Sequence, residues 1–235
     1  MTGGLTLAIY AVQAKDKRIL QAAEEVFSRH GYEKATLDEI ITLADVGKGT
    51  VYKYFGNKEQ LFYRLVSDRN TPFVKRLQQA IETGETFEQK LKNYFYEMVS
   101  FYVANSTLWQ IIYFEMLGAG NACRVEKING EYQVLPRYHA YKITDELKER
   151  ILRYHSLLYA EYIILYDLIE SGMKKGLLKE NSVPEIATKF VFFGVAMSIF
   201  NPTDDITRKM PAEQAADIIV DHFLWGNSIN ICNLM

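Results

Sequence analysis

The chain has 235 residues, 49% of them hydrophobic, and a formal net charge of −2. That is enough apolar material for a real core and too much for a disordered chain. The apolar runs fall far short of the roughly 20 residues that cross a bilayer, so no transmembrane helix is expected. Two cysteines, Cys123 and Cys232, lie too far apart for a metal spacing, and a reduced cytoplasmic setting fits them.

Residues 1–14, MTGGLTLAIYAVQA, are mildly apolar but have no basic start, so they read as an amino-terminal arm and not a secretory signal. Residues 17–30 put Ile19, Ala22, Ala23, Val26 and Phe27 on one face, with Gly31 as a stop, which predicts a first helix. Thr36 and Glu39 form a capping box ahead of a very short second helix bearing Ile40, Ile41 and Ala44. A turn through Asp45 and Val46 leads to a third helix stopped by Gly56. Asn57 with Gln60 then caps a fourth, carrying Leu61, Phe62, Leu65 and Val66.

Beyond Asn70 the predicted helices lengthen and become aromatic. Pro72 suits a first helical position, so 71–83 is expected as a separate helix ending at Gly84. Thr86 and Gln89 cap a run from 87 to about 104, followed by another from 106 to 117. Residues 118–137 hold an Asn129-Gly130 pair between alternating residues, which fits a small hairpin or an irregular loop. Ile143 to Lys175 is one long helix or two in series, ended by Gly176. Ser182, Pro184 and Glu185 open a helix to about Phe200, and a last one runs from Pro211 to about Trp225. The expected fold class is all-α.

The third helix contains an oddity, DVGKGTVYKYF at residues 45–55, where glycines weaken a helix crowded with lysine and tyrosine. At about 100° per residue Val51 and Phe55 fall within about 40° of each other and face a core. Gly49, Thr50, Tyr52 and Lys53 fill the opposite arc. A missing side chain at Gly49 lets the helix axis approach a grooved partner while a cation, a hydroxyl and a phenol flank it. Entry into a DNA major groove needs that arrangement, with base edges in reach and phosphates met by lysine. The short helix and turn before it complete a helix-turn-helix shape. Residues 15–70 hold ten Lys/Arg against nine Asp/Glu, so charge alone says little about nucleic acid.

Across residues 17–65, the pattern ILQAAEEVFSRHGYEKATLDEIITLADVGKGTVYKYFGNKEQLFYRL strongly resembles the DNA-binding region of the TetR family of bacterial transcriptional regulators. The motifs stand in family order: Phe-x-x-x-Gly-Tyr ending the first helix, Thr-x-x-x-Ile in the second, Val-x-Lys-Gly-Thr-x-Tyr-x-x-Phe as recognition helix, and Asn-Lys-Glu-x-Leu opening the fourth. The resemblance implies a helix-turn-helix domain at 15–62 and a larger helical effector-binding and dimerisation domain at 63–235. It places Thr36, Lys48, Gly49, Thr50, Tyr52, Lys53, Tyr54 and Lys58 at DNA-contacting positions. Gly47 departs from the serine frequent in the family, which puts one backbone contact in doubt.

The same resemblance implies an effector pocket in the variable helices. Its aromatic candidates here are Tyr94, Phe101, Tyr102, Trp109, Tyr113, Tyr159, Tyr162 and Tyr166. Tyrosine hydroxyls, once buried, want partners that a cavity or ligand supplies. Glu97, Glu115 and Glu161 lie on these helices and are expected on solvated surface. Phe190, Phe193, Gly194, Met197, Ile219 and Phe223 on the last two helices are expected at a two-fold interface between copies. The implied protein is a homodimeric, ligand-responsive regulator, a repressor in the first instance. Its expected partners are a palindromic double-stranded DNA operator, a small hydrophobic or aromatic effector and a second copy, with no membrane, metal or cofactor. The four histidines are scattered, with no nucleophile triad, His-x-x-x-His pair or glycine-rich phosphate loop, so an enzyme is not expected. An adaptor acting on a protein partner keeps the same helical architecture and is separated by loss of DNA retention in a Tyr52→Ala, Lys53→Ala double variant.

Overall fold

A computed structural model describes residues 3–117, 123–136, 142–179, 183–200 and 209–227. Three helices open the chain: α1 (Gly3–Lys34), α2 (Leu37–Ala44) and α3 (Lys48–Phe55). α1 begins far earlier than residue 17, so its backbone runs back through the expected arm. It breaks at Gly31, where φ is 72° and ψ −179°. Ile19, Ala23, Val26 and Phe27 of α1 meet Ile40 and Ala44 of α2 and Val51 and Phe55 of α3 in one buried core. Thr36 accepts from the Glu39 N–H, satisfying one of the first orphan amides of α2 as the capping box requires.

α4 (Lys58–Thr83) is a single helix with Pro72 inside it, which corrects the expected break at residue 71. Leu61, Phe62, Leu65, Val66, Asn70, Phe73 and Leu77 form one continuous buried stripe across the proline. Packing of that stripe outweighs the one ladder bond proline cannot make. α4 thus belongs both to the amino-terminal head and to the larger helical body. α5 (Phe87–Ala104), capped by Thr86 as expected, packs between α4 and the last helix.

α6 (Ser106–Gln110) passes into a π-helical turn, Ile111–Met116. The region expected as hairpin or loop is a hairpin of β1 (Cys123–Ile128) and β2 (Glu131–Pro136). Its turn residues Asn129 and Gly130 have φ of 53° and 90°, the mirror-image conformation that matches strand twist. α7 (Asp145–Lys174) is one continuous helix, capped by Thr144 and ended before Gly176. α8 (Pro184–Phe200) lies on α7, and α9 (Ala212–Asn227) lies on α5. The expected Ser182 cap falls outside the described residues. Among the described residues no helix is long and apolar enough to cross a membrane.

Candidate functional site

The first element of interest is α3. Val51 and Phe55 are buried, while Lys48, Gly49, Tyr52, Lys53 and Tyr54 are exposed and Thr50 is half-buried. Tyr52 is 45% exposed, and the space over Gly49 is open, with no atom within 4 Å of where a Cβ would lie. The turn before α3 is fixed by Asp45, which adopts a left-handed conformation at φ 51° and sends its N–H back to α2. Arg18 of α1 donates to the Asp45 carbonyl at 3.2 Å, tying the turn to the first helix. Lys48 Nζ bonds Asp38 Oδ1 at 2.9 Å, so α2 and α3 are linked across the turn. Thr36 sits exposed at the amino end of α2.

Lys58 departs from its expected role. Its ammonium donates to the carbonyls of Tyr32, Glu33 and Ala35 at 2.8, 3.2 and 3.1 Å, closing off the segment that joins α1 to α2. It also lies 4.5 Å from the centre of the Tyr32 ring. Three carbonyl acceptors occupy all three of its donors, so Lys58 holds the head together and leaves no N–H for a phosphate.

The second element is a cavity of about 870 Å³ between the π-helical turn, the hairpin, α7 and α8. Tyr113, Tyr159, Tyr162 and Tyr166, four of the eight aromatic candidates, line it. Tyr132 from the hairpin and His155 from α7 complete an aromatic wall, with ring centres 4.8 Å apart and Tyr132 5.0 Å from Tyr159. Burial lowers the His155 pKa and raises that of Tyr162 to about 12, so both rings stay neutral near pH 7. Lys127, Glu126, Glu185 and Lys189 add charges of both signs, with Lys189 bound to Glu185 at 2.6 Å. Phe192 and Phe193 close the α8 side.

Tyr94, Phe101, Tyr102 and Trp109 do not line this cavity and belong to the core behind it. Phe101 stacks on Phe73 with ring centres 3.8 Å apart. That core also holds a buried acid: Glu161 is inaccessible to solvent, contrary to the expected solvated surface. Tyr102 donates to Glu161 Oε2 at 2.5 Å, and Tyr94 donates to the Glu161 carbonyl at 3.0 Å. Tyr113 reaches toward this group from the cavity wall, its hydroxyl 3.5 Å from that of Tyr102. Burial pushes the Glu161 carboxyl up to about 8 despite the tyrosine bond. Glu97 instead pairs with Arg76, and Glu115 with backbone amides of the head.

A third feature is the set of exposed apolar residues on α8 and on α9. Phe190 is 77% exposed, Gly194 is open, and Phe193, Met197, Ile186 and Ile218 are exposed. Ile219 is half-buried. Phe223 is buried within its own chain, so its place at the expected interface is not available. Ile218, one residue before Ile219, is exposed.

The hairpin's contribution, Tyr132 above all, and the cavity positions of His155, Phe192 and Phe193 escape sequence reasoning. The Asn129-Gly130 pair and the alternation around it point to a hairpin but say nothing about what its strands cover.

Residues 19–65 match the model for bacterial regulatory proteins of the tetR family. An uncharacterized HTH-type transcriptional regulator, YhgD of Bacillus subtilis, is 32% identical over 87 residues, 37% of this chain and 46% of that protein. The fatty acid metabolism regulator protein of the same organism is 34% identical over 77 residues, covering 33% of this chain and 40% of that one. These matches span under half the length of either relative. Over nearly the whole fold, the chain is similar to the transcriptional regulator FadR from Bacillus subtilis solved with stearoyl-CoA. That likeness has a TM-score of 0.65 at 21% identity, over 89% of this chain and 98% of the other. The amino-terminal head, residues 19–65, is thus similar to the bacterial regulatory proteins of the tetR family, and the fold around it is shared with solved regulators.

Proposed function

We propose that this protein is a homodimeric transcriptional regulator that binds a palindromic DNA operator through α3 and releases it when a small hydrophobic or aromatic molecule fills the cavity. The observation that carries the reading is the division of α3. Val51 and Phe55 anchor it while Gly49, Tyr52, Lys53 and Tyr54 face outward beside the exposed Thr36. Gly49 lets the axis approach base edges, Lys53 meets phosphate, and the amino end of α2 offers its amides and positive dipole end to the backbone. Two such helices, held by the α8/α9 face, engage half-sites one helical turn apart.

The cavity supports the effector half of the reading. Its size suits a small molecule, and its lining is aromatic with a balanced set of charges. The solved FadR that holds stearoyl-CoA supports an apolar ligand in this fold. α4 joins head to body, so a shift of the body carries into the spacing of the two heads, and the ligand's differential affinity for two states sets the coupling. Repression by occupancy of a promoter in the cytoplasm is the simplest output. Selection of duplexes from a random library by the purified protein, followed by a gel shift, tests the proposal. A palindromic consensus is the expected result, and no enriched duplex overturns it.

A further inference from the structure

We infer that Glu115 is the positioning residue through which the cavity and the reading head sense each other, and that the π-helical turn Ile111–Met116 is the element with two arrangements. This rests on the regulator reading above. Tyr113 in that turn forms part of the cavity wall. Two residues on, Glu115 leaves the body and reaches the head, where Oε2 accepts from the N–H groups of Tyr32 at 3.0 Å and Glu33 at 3.2 Å.

Those amides need an outside acceptor because Gly31, at φ 72°, breaks the helical ladder just before them. The approach is close: a Cβ on Gly31 would lie 2.8 Å from Glu115 Oε1. The carbonyls of the same segment are held by Lys58. Residues 32–35 are therefore gripped by an anion at their N–H groups and by a cation at their C=O groups. The next residue, Thr36, caps α2, which sets the turn into α3. Displacing Glu115 releases one side of that grip at the base of the reading head.

The π turn supplies the means. The Leu117 N–H reaches back five residues to the Ile112 carbonyl at 2.9 Å. Relaxing that wide turn to an α-helical register winds its side chains further around the axis, by an amount that grows along the turn to about 100° at its end. Glu115 then no longer faces the Tyr32 and Glu33 amides. A molecule pressed against Tyr113 favours one register over the other, and by reciprocity so does DNA held by the head. A second link, Arg153 of α7 to Glu59 of α4 at 2.6 Å, joins body to head elsewhere and serves as the control.

The test uses that reciprocity, so no effector is needed. A duplex selected by the wild-type protein from a random library is the probe, and amide hydrogen exchange across residues 111–117 of the full chain is the readout. Duplex binding is expected to change wild-type exchange there at least tenfold. Glu115→Ala should bind duplex yet show under threefold change, and Glu115→Asp, one methylene short, should do the same if the alanine variant is unstable. Glu115→Gln, whose amide oxygen still accepts, should restore the change, and Arg153→Ala should keep it. A full wild-type change in Glu115→Ala and Glu115→Asp, or its loss in Arg153→Ala instead, overturns the inference. Duplex binding with no change at 111–117 in wild type overturns it while leaving DNA recognition intact. Failure of wild type to select any duplex removes the regulator reading and this inference together.

Discussion

The Tyr102 hydroxyl donates to Glu161 Oε2 at 2.5 Å in a region with no solvent access to either side chain. Around the carboxyl stand Tyr94, Tyr113 and Trp109, and the Trp109 N–H faces it without closing a well-formed bond. No cation among the described residues compensates the charge, so burial holds Glu161 protonated at neutral pH, with a pKa of about 8 against an ordinary 4.5. The folded chain then binds more protons than the unfolded chain between those values. Stability contributed by this group is full below the ordinary value and is lost as pH rises toward 8. Glu161→Gln removes that loss. Thermal unfolding of wild type and variant across pH 5 to 9 is expected to diverge, the variant gaining relative to wild type as pH rises. Parallel curves would show that Glu161 is not the buried acid described.

Gly49 separates folding from recognition cleanly. A Cβ there meets nothing within 4 Å, so Gly49→Ala adds no clash to the free protein. Alanine favours a helix by about 1 kcal/mol over glycine, so stability is expected to hold or rise slightly. The added methyl stands on the face assigned to the groove, and operator affinity is expected to drop at least tenfold. Unchanged affinity in a gel shift would mean that α3 never comes close to DNA.

Lys53 and Lys58 look alike in the sequence and are expected to behave oppositely. Lys58→Ala strands the carbonyls of Tyr32, Glu33 and Ala35 and should cost about 2 kcal/mol of stability, read by denaturant unfolding. The salt dependence of its DNA binding should stay as in wild type. Lys53 is exposed on α3, and Lys53→Ala should leave stability within about 0.5 kcal/mol. Its logarithmic salt slope should fall by about 1, the signature of one phosphate that the protein no longer neutralises.

Local punctuation was legible in the sequence because capping is local chemistry. Thr36, Asn57 and Thr86 each cap the helix expected of them, and Asn129-Gly130 makes the expected turn. The inward and outward faces of α3 followed from helical periodicity alone. What stayed hidden depends on distant partners. Pro72 reads as a helix start until Phe73 and Leu77 are seen continuing the buried stripe of α4. Glu161 reads as surface because no residue near it in sequence announces Tyr102 or Trp109. Of the eight aromatic candidates for the cavity, Tyr113 and the three on α7 line it, whereas the four on α5 and α6 are buried in the core behind it, a division that depends on packing between elements far apart in sequence. Lys58 gave no sign that the end of α1 would claim it.

The outer face of α8 gives the sharpest test of assembly. Ile186, Phe190 and Met197 are exposed along it, with Phe190 at 77%, and Ile218 on α9 is exposed as well. In the dimeric reading proposed above, a two-fold copy would present the matching stripe and cover it. Phe190 contributes little to its own fold, so Phe190→Glu should leave thermal stability of the protomer nearly intact. A charge at the centre of an apolar contact is costly to desolvate, and sedimentation velocity is expected to show monomers. Because the second half-site adds its affinity only through the first, operator binding should fall by about 100-fold or more once the two heads part. A dimer that survives Phe190→Glu would place the two-fold contact on another face and remove the geometric basis for paired half-sites.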